Sequence, residues 1–347
     1  MFAWSLWRRR YDVAAVCQPR LEVSRARGAL LGVALAAGAR AIAAIDPDRG
    51  AVRGISRTTA LSDLLRFAAL NVVARAAMPF ATVAARALAC MPVRLRAAAQ
   101  QAGGSVAYLR SDLDLALAPL EAGGSLAHTD GILRALGRRP HDVELWSTGE
   151  LAGMPAEIPR RTLPTVLRAN VPWEVSELLS GLAQAVRLLR EARPDAFVYQ
   201  RYSLNNIAGV ALARARGIPL VLEANASEAR WREDWSKLQF PRFARACERL
   251  VLRHSDRIAT VSENAARDLL AAGADPRRLR VVPNGVDVAR FRAARPRELP
   301  FDPQAVVVGF AGLFYPWHGA RWLAEAFALL HRSRPDARLL LVGDGEE

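Results

Sequence analysis

The chain has 347 residues, which is enough for two domains of ordinary size and a large buried core. Hydrophobic residues make up 52% and charged residues 24%, which excludes a disordered or fibrous protein. The three cysteines lie far apart and the five histidines lack metal-ligand spacing. A disulfide scaffold and a transition-metal site are therefore not expected.

The net charge of +14 is concentrated at one end of the chain. Residues 1–103 hold 15 arginines and 5 acidic residues, a local net charge of +10. Only one of the 48 basic residues is a lysine, Lys237, and no DNA-reading module is present, so nucleic acid is not the expected partner. An anionic membrane surface suits this charge better, which predicts a cytoplasmic protein with peripheral contact at the inner face of the cell membrane.

The N-terminal region begins with two short apolar runs, Val13–Cys17 and Ala41–Ile45, on either side of a helical pattern over Leu21–Ala37. This order predicts one βαβ unit. A longer apolar helical pattern follows over Leu61–Met91, and Pro79 is expected to kink it. Three interpretations of that stretch stay open: packed helices of a soluble core, interfacial amphipathic helices, or a membrane span.

A different pattern begins after Gly103-Gly104, where short apolar runs alternate with helical patterns of 10–15 residues. Alternation of this kind predicts parallel βαβ units in a doubly wound, Rossmann-like sheet of an α/β protein. The predicted strands cover 105–112, 142–147, 196–200, 219–223, 257–261 and 279–282, and the helices cover 126–139, 173–192, 206–216, 241–253 and 263–272.

A polar, proline-rich stretch through Pro303 then precedes one more βαβ unit, with strands over 305–312 and 338–342 and a helix over 320–333. The sequence thus predicts three parts: a basic region over 1–103, a Rossmann-like domain over 104–303, and the first βαβ unit of a second Rossmann-like domain over 304–347. One unit cannot cover both faces of a parallel sheet, so we expect this last domain to be incomplete.

A glycine-rich segment, "EAGGS", lies between a predicted strand and a predicted helix. Gly123, Gly124 and Ser125 are candidates for a phosphate cradle, because glycines at a helix N-terminus let backbone N–H groups approach an anion. The alternative is an ordinary tight turn between strand and helix.

Polar residues follow the predicted strand 219–223 at its carboxyl end, where open α/β sheets bind ligands. Asn225 and Glu228 are the candidate catalytic residues, with Glu223 as a further base or hydrogen-bond acceptor. Helix capping and solvated turn positions are the competing explanation for the glutamates.

Two further strings complete the candidates. In "VVPNGVD", Asn284 and Gly285 are predicted to form a turn in which the glycine supplies unusual backbone angles. In the last βαβ unit, Gly312 ends a strand, and His318 with Gly319 opens a helix, where a cation would face an anionic ligand. A solvent-exposed loop histidine is the alternative.

The ordered strings "VSE", "VVPNGVD" and "LVGDG", with "HG" before a helix, resemble family 4 glycosyltransferases of GT-B architecture over roughly 104–347. The resemblance implies transfer of a sugar from a nucleotide-diphosphate sugar without an obligatory metal or other cofactor. The acceptor would be a glycan, a lipid-linked molecule or a small molecule, in cell-envelope polysaccharide or glycoconjugate synthesis. The same resemblance implies that Gly123 and Gly124 approach the donor diphosphate and that Asn284 and Gly285 lie at the interdomain crossover.

The sequence departs from that family at three places. Asn225 stands where many members have a histidine, and His318 stands where many have a lysine. The family's pair of glutamates is expected beyond Glu347, so the 347 residues are expected to be inactive alone. Two alternatives therefore stay open: a glycosyltransferase-like binding or regulatory fragment, and a nucleotide-sugar epimerase of the same architecture.

Overall fold

The computed structural model describes residues 11–92, 103–121, 123–138, 141–236, 238–293 and 298–345. Lys237 and the first ten residues of the basic region lie outside this part of the chain. The described residues form two compact units. The first comprises Met1–Pro119, Leu133–Glu150 and Met154–Asn284, and the second comprises Leu120–Ile132, Leu151–Gly153 and Gly285–Glu347. These units do not coincide with the three parts predicted from sequence.

The N-terminal βαβ unit is present as predicted. Strands β1 (Val13–Cys17) and β2 (Ala41–Asp46) pair in parallel, and helix α1 (Arg27–Ala36) joins them after a short 3-10 turn. A third strand, β3 (Ala51–Ile55), pairs antiparallel with β2. The sequence analysis missed β3 because Arg53 breaks its short apolar run.

Helix α2 (Arg57–Cys90) is a single helix that continues through Pro79. The Ser56 side chain caps it by accepting a hydrogen bond from the backbone N–H of Thr59 (3.0 Å). The N-terminal half of α2 packs on α1, and Asp63 binds Arg27 at 2.8 Å. Further along, buried side chains of α2 join the core of the larger sheet. The described part of the basic region, residues 11–92, is therefore packed into the first unit.

Asn170 connects the proline-rich loop to these helices. Its side chain accepts a hydrogen bond from the Gly28 N–H (2.6 Å) and donates one to Asp63 (3.3 Å). Its own N–H donates to the carbonyl of Ser24 (3.1 Å). Asn170 is buried and has a left-handed backbone (φ 68°), a conformation that asparagine tolerates better than most residues.

The main sheet of the first unit has seven strands in the order β10-β9-β8-β7-β4-β5-β6, all parallel. This order confirms the doubly wound α/β prediction. Its strands are β4 (Gly104–Arg110), β5 (His141–Ser147), β6 (Arg160–Thr162), β7 (Phe197–Arg201), β8 (Leu220–Glu223), β9 (Arg257–Thr260) and β10 (Leu279–Val281). The helices along this part of the chain are α3 (Asp114–Leu117), α4 (Gly124–Gly137), α5 (Trp173–Glu191), α6 (Ala208–Arg216), α7 (Glu228–Trp235), α8 (Pro241–His254), α9 (Glu263–Ala272) and α10 (Val288–Ala293).

The core lies on the sheet because a parallel sheet is covered by helices on both faces. Central strands contribute the fully buried side chains of Leu109, Val198 and Leu222. Helix α8 packs against them with one apolar face that includes Phe243 and Val251. Four short elements in this part of the chain were not predicted from the sequence: strand β6 and helices α3, α7 and α10.

The second unit contains a parallel pair of strands, β11 (Val306–Ala311) and β12 (Ala337–Val342), joined by helix α11 (Ala320–Ser333). This is the βαβ unit predicted for the last part of the sequence. The carboxyl ends of the two strands are linked, because the Gly312 N–H donates to the carbonyl of Val342 (2.9 Å).

The contact between α1 and α2 leaves no room for a side chain at Gly28. A Cβ there would lie 2.2 Å from the Asp63 carbonyl oxygen and 2.5 Å from the Phe67 Cβ. We expect Gly28→Ala to lower the free energy of unfolding by about 1–3 kcal/mol, through overpacking. The control is Gly131→Ala in α4, where an added Cβ meets nothing within 4 Å. Urea denaturation of the two variants should separate them, and equal midpoints would contradict the packing argument.

Candidate functional site

The strand order of the first unit reverses between β4 and β7, which is where open α/β sheets bind ligands. The chain runs outward from β4 through β5 to β6, and then returns to the other side of β4 as β7. The last residues of β4, β7 and β8 are in register: Arg110 pairs with Arg201, and Arg201 pairs with Glu223. Charged groups therefore lie side by side at the carboxyl edge of the sheet.

We call the charged residues at this edge the crossover cluster. Its members are Arg110, Asp112, Arg201, Glu223, Glu228 and Arg232. Arg110 binds Asp112 at 2.9 Å, and Arg201 binds Glu223 at 2.7 Å. The Tyr199 hydroxyl also donates a hydrogen bond to Glu223 (2.9 Å). The Glu223 carboxylate, a candidate base from the sequence, is therefore buried and bound by both Arg201 and Tyr199. Glu223 is thus a positioning group for Arg201.

Glu228 is the first residue of helix α7, which Ser227 caps by accepting from the Arg230 N–H (3.3 Å). The Glu228 carboxyl is half-buried, and no hydrogen bond or ion pair joins it to another described residue. Burial raises its pKa to about 7, against the opposing effect of Arg232 and with a further rise from Asp112. Glu228 is therefore able to exchange a proton near neutral pH.

A second buried carboxylate lies beside the cluster and was not predicted. Glu177 of α5 binds Arg232 at 2.6 Å and accepts a hydrogen bond from the Asn205 side chain (2.7 Å). Burial raises the pKa of Glu177 to about 7 in spite of these partners. In the sequence, Glu177 is one polar residue among several in a helical pattern, so nothing near it indicates that it pairs with Arg232. The left-handed backbone of Asn205 (φ 60°) is likewise visible only in the structure.

Several buried polar atoms at the same edge lack a hydrogen-bond partner among the described residues. They include the Ser111 hydroxyl, the Tyr202 hydroxyl, the Asn225 side-chain oxygen and the Thr260 hydroxyl. Each is at or just beyond the carboxyl end of a strand. An unsatisfied buried polar group costs about 1–3 kcal/mol, so such atoms mark places where water or a ligand supplies the missing partner.

The predicted catalytic pair thus follows strand β8, the neighbour of β7 in the sheet. The predicted donor-binding residues, apart from Asn284, fall in the second unit. Gly123 has a left-handed backbone (φ 109°), and its carbonyl accepts from the N–H groups of Leu126 and Ala127 (both 3.1 Å). Gly124 and Ser125 then form the first residues of α4. A Cβ on either glycine would meet nothing within 4 Å, so the approach to this helix N-terminus is open.

The sequence analysis expected His318 to open a helix, and this is wrong. It ends a 3-10 turn (Pro316–His318), and its ring Nδ1 is hydrogen-bonded to the Leu313 carbonyl. Gly319 follows with a left-handed backbone (φ 70°) and serves as the N-cap of α11. The His318 ring is exposed, and the loop that holds it starts at Gly312.

The turn predicted in "VVPNGVD" is wrong. Asn284 and Gly285 lie in an exposed loop in which no hydrogen bond closes a turn, and Gly285 does not adopt a left-handed backbone. The loop joins the end of β10 to α10, and an added Cβ at Gly285 would meet nothing within 4 Å. A proline-asparagine-glycine string favours a turn only where the flanking chain reverses, and here the chain passes from one compact unit to the other.

Across the described ranges, no group of three or more His, Cys, Asp or Glu side chains is arranged to hold a metal ion. Two acidic side chains of the crossover cluster are instead paired with arginines, Asp112 with Arg110 and Glu223 with Arg201. The expectation of a metal-independent reaction stays a prediction.

Comparison with known proteins covers the part of the site that holds Arg201, Glu223 and Glu228. Residues 122–290 match the model of Glycosyltransferase Family 4. The family resemblance is confirmed. The chain is similar to the D-inositol 3-phosphate glycosyltransferases of Segniliparus rotundus (28% identity over 245 residues, 65% of this chain and 54% of the relative) and Pseudarthrobacter chlorophenolicus (29% over 260 residues, 71% and 58%).

The chain also has a GT-B fold. The structure of WaaG, a glycosyltransferase involved in lipopolysaccharide biosynthesis, matches with a TM-score of 0.50 at 16% identity, over 70% of this chain and 64% of that one. At this level of identity the match concerns the fold alone. The chain spans about half the length of the curated relatives that it matches.

The raised pKa of Glu228 has a consequence for stability. Its ordinary pKa is 4.5 and its folded value is about 7, so the folded state binds more protons between these values. Stability therefore falls as pH rises through this window. We expect Glu228→Gln to remove that loss, and to be more stable than the wild type by about 1–3 kcal/mol at pH 8 but equal to it near pH 4.

Chemical denaturation at both pH values measures this effect. The matched control is Glu263→Gln, since Glu263 is also the first residue of a helix with a serine N-cap but is exposed. A Glu228→Gln variant that differs from the wild type by the same amount at both pH values would contradict the burial of this carboxyl.

Proposed function

We propose that the full-length protein transfers a sugar from a nucleotide-diphosphate sugar to a hydroxyl group of an acceptor. The observation that carries the proposal is the half-buried Glu228 carboxyl, which has no hydrogen bond or ion pair among the described residues, together with the unpartnered side-chain oxygen of Asn225. Both residues follow β8, which neighbours the reversal of strand order. The family 4 match of the same segment supports it. The acceptor belongs to glycan, lipid-linked or small-molecule chemistry, in cell-envelope polysaccharide or glycoconjugate synthesis.

The crossover cluster favours a hydroxyl acceptor. Its guanidinium groups are held by carboxylates, with Arg110 on Asp112, Arg201 on Glu223 and Arg232 on Glu177. The groups left for a ligand are the Glu228 carboxyl and the uncharged polar side chains without a hydrogen-bond partner among the described residues. Such groups accept hydrogen bonds from sugar or polyol hydroxyls or donate hydrogen bonds to them. Glu228 then positions the attacking hydroxyl and accepts its proton as the new glycosidic bond forms.

The relatives' printed names suggest D-inositol 3-phosphate as the first acceptor to try. We propose to assay it beside unphosphorylated inositol, with several nucleotide-diphosphate sugars as donors. Because the arginines of the cluster are already paired, the physical argument favours recognition of the ring hydroxyls. A preference for the phosphorylated acceptor would instead mean that a ligand phosphate displaces one of these carboxylates.

The donor diphosphate is proposed to bind at Gly123, Gly124 and Ser125, with Gly312, His318, Gly319, Asn284 and Gly285 as its further contacts. Backbone N–H groups at the start of α4 and the helix dipole supply the positive potential, so a metal is not required for this role. Departure of the nucleoside diphosphate is assisted in the same way, since these N–H groups stabilise the charge that develops on it.

The catalytic role of Glu228 predicts a loss of rate. We expect Glu228→Gln to lower kcat about 10²–10⁴-fold, because a neutral amide cannot accept the hydroxyl proton. Glu263→Gln, at the same helix position of α9, should leave kcat unchanged. Initial-rate transfer assays on the full-length protein measure both variants. A kcat for Glu228→Gln within a factor of two or so of the wild type would remove this residue from the catalytic assignment.

The donor assignment predicts a separable effect on binding. A side chain at Gly124 meets no protein atom, so Gly124→Val should fold normally but push a diphosphate away from the helix N-terminus. We expect affinity for a nucleoside diphosphate to fall at least about tenfold by calorimetry, equivalent to the loss of one or two hydrogen bonds to a charged group. Gly131→Val, on the same helix in equally open space, is the control. Equal affinities would discard the assignment.

We propose a cytoplasmic location with peripheral contact at the inner face of the cell membrane. The +10 charge of residues 1–103 supports this contact, and the absence of a nucleic-acid-reading module from the sequence speaks against nucleic acid as the partner.

A further inference from the structure

Helix α2 has one face buried in the protein and an opposite apolar face exposed to solvent. From Ala74 to Ala89 its buried residues recur every three or four positions, and they include Met78 and Ala85. On the opposite face, at 100° of rotation per residue, lie Leu65, Val72 and Val83 with Phe80 beside them. These side chains are 62%, 65%, 65% and 78% exposed respectively. We call these four residues the apolar stripe.

By length and apolar composition, α2 is the one helix in the described part of the chain that would be able to cross a membrane. Its packing argues against that interpretation. Met78, Ala85 and Ala89 belong to the core of the main sheet, and the His254 ring is hydrogen-bonded to the Leu88 carbonyl (3.0 Å). A span would have to give up these contacts, so the helix lies along the surface of the first unit with the apolar stripe outward.

The charges on α2 decide what fits the stripe. Arg75 and Arg86 flank it on one edge and Arg66 on the other, and all three are exposed. The only acidic residue of the helix is Asp63, which is buried and paired with Arg27. A second copy of this chain would bring like charges together across the contact. An anionic bilayer supplies both a hydrocarbon layer and negative phosphates.

We propose that α2 lies in the plane of an anionic bilayer, with the apolar stripe among the acyl chains and Arg66, Arg75 and Arg86 at the lipid phosphates. The stripe extends over about 27 Å of helix, from Leu65 to Val83 at 1.5 Å per residue. The inference rests on the proposed membrane contact of residues 1–103 and is independent of the transferase chemistry. It assigns that contact to one helix face.

Co-sedimentation of the purified chain with vesicles tests the stripe. The vesicles contain phosphatidylcholine alone or phosphatidylcholine with phosphatidylglycerol. We expect binding to the anionic vesicles, and a loss of affinity of at least about tenfold for Val72→Asp/Phe80→Asp, since two apolar side chains leave the acyl layer. The matched control is Leu182→Asp/Val186→Asp on α5, where the wild-type residues are 44% and 49% exposed. It should bind as the wild type does.

A second variant tests the charges without touching the stripe. Arg66→Gln/Arg75→Gln/Arg86→Gln should weaken binding to anionic vesicles and reduce its dependence on salt, because three phosphate contacts are lost. If Val72→Asp/Phe80→Asp binds anionic vesicles as well as the wild type does, the proposal is overturned, and another part of residues 1–103 makes the membrane contact. Equal binding to neutral vesicles would overturn the role of the arginines.

Two further outcomes would also overturn the proposal. If light scattering shows a dimer that Val72→Asp/Phe80→Asp dissociates, a second copy covers the stripe. If the same variant lowers Tm strongly while Leu182→Asp/Val186→Asp does not, the stripe is buried by another segment of the chain. A failure of transferase activity with intact vesicle binding would affect only the proposed catalytic function.

Discussion

The reversal of strand order at β4 is the constraint on which the candidate site depends. The chain leaves β4 toward β5 and β6, and the next strand to pair with β4 does so on its opposite edge. In open α/β sheets the segments that follow two such strands diverge, and ligands bind between them at the carboxyl edge. Arg110 and Arg201 end these two strands in register, and Glu223 neutralises Arg201 from the adjacent strand. The position of Glu228, just beyond β8, follows from the same geometry.

Electrostatics at this edge set the protonation of the site. Burial opposes ionisation of both Glu177 and Glu228, and holds their pKa values at about 7 although arginines lie close to each. Glu177 is fully engaged by Arg232 and Asn205, whereas Glu228 has no hydrogen-bonding partner among the described residues. Two carboxyls with similar pKa values thus differ in their contacts, since Glu177 is held by two partners and Glu228 is not.

The N-terminal sheet and α2 extend the first unit beyond the segment that matches the family model, which begins at residue 122. Asn170 and Asp63 tie this extension to the proline-rich loop through buried hydrogen bonds. The extension therefore belongs to the same compact unit as the crossover cluster. Its outward apolar stripe and flanking arginines lie outside the segment that matches the family model.

The sequence by itself determined the alternation of strands and helices, and with it the α/β class and the parallel sheet. Helix α9 has its predicted bounds, and β1 and the βαβ unit around α11 were predicted within one residue. These elements carry strong local periodicity. Strands β3 and β6 and helix α7 are too short or too polar to produce such a pattern. The ion pairs Arg201–Glu223 and Arg232–Glu177, and the partnerless Glu228 beside them, were decided only by tertiary structure, because they depend on which strand ends the crossover brings together.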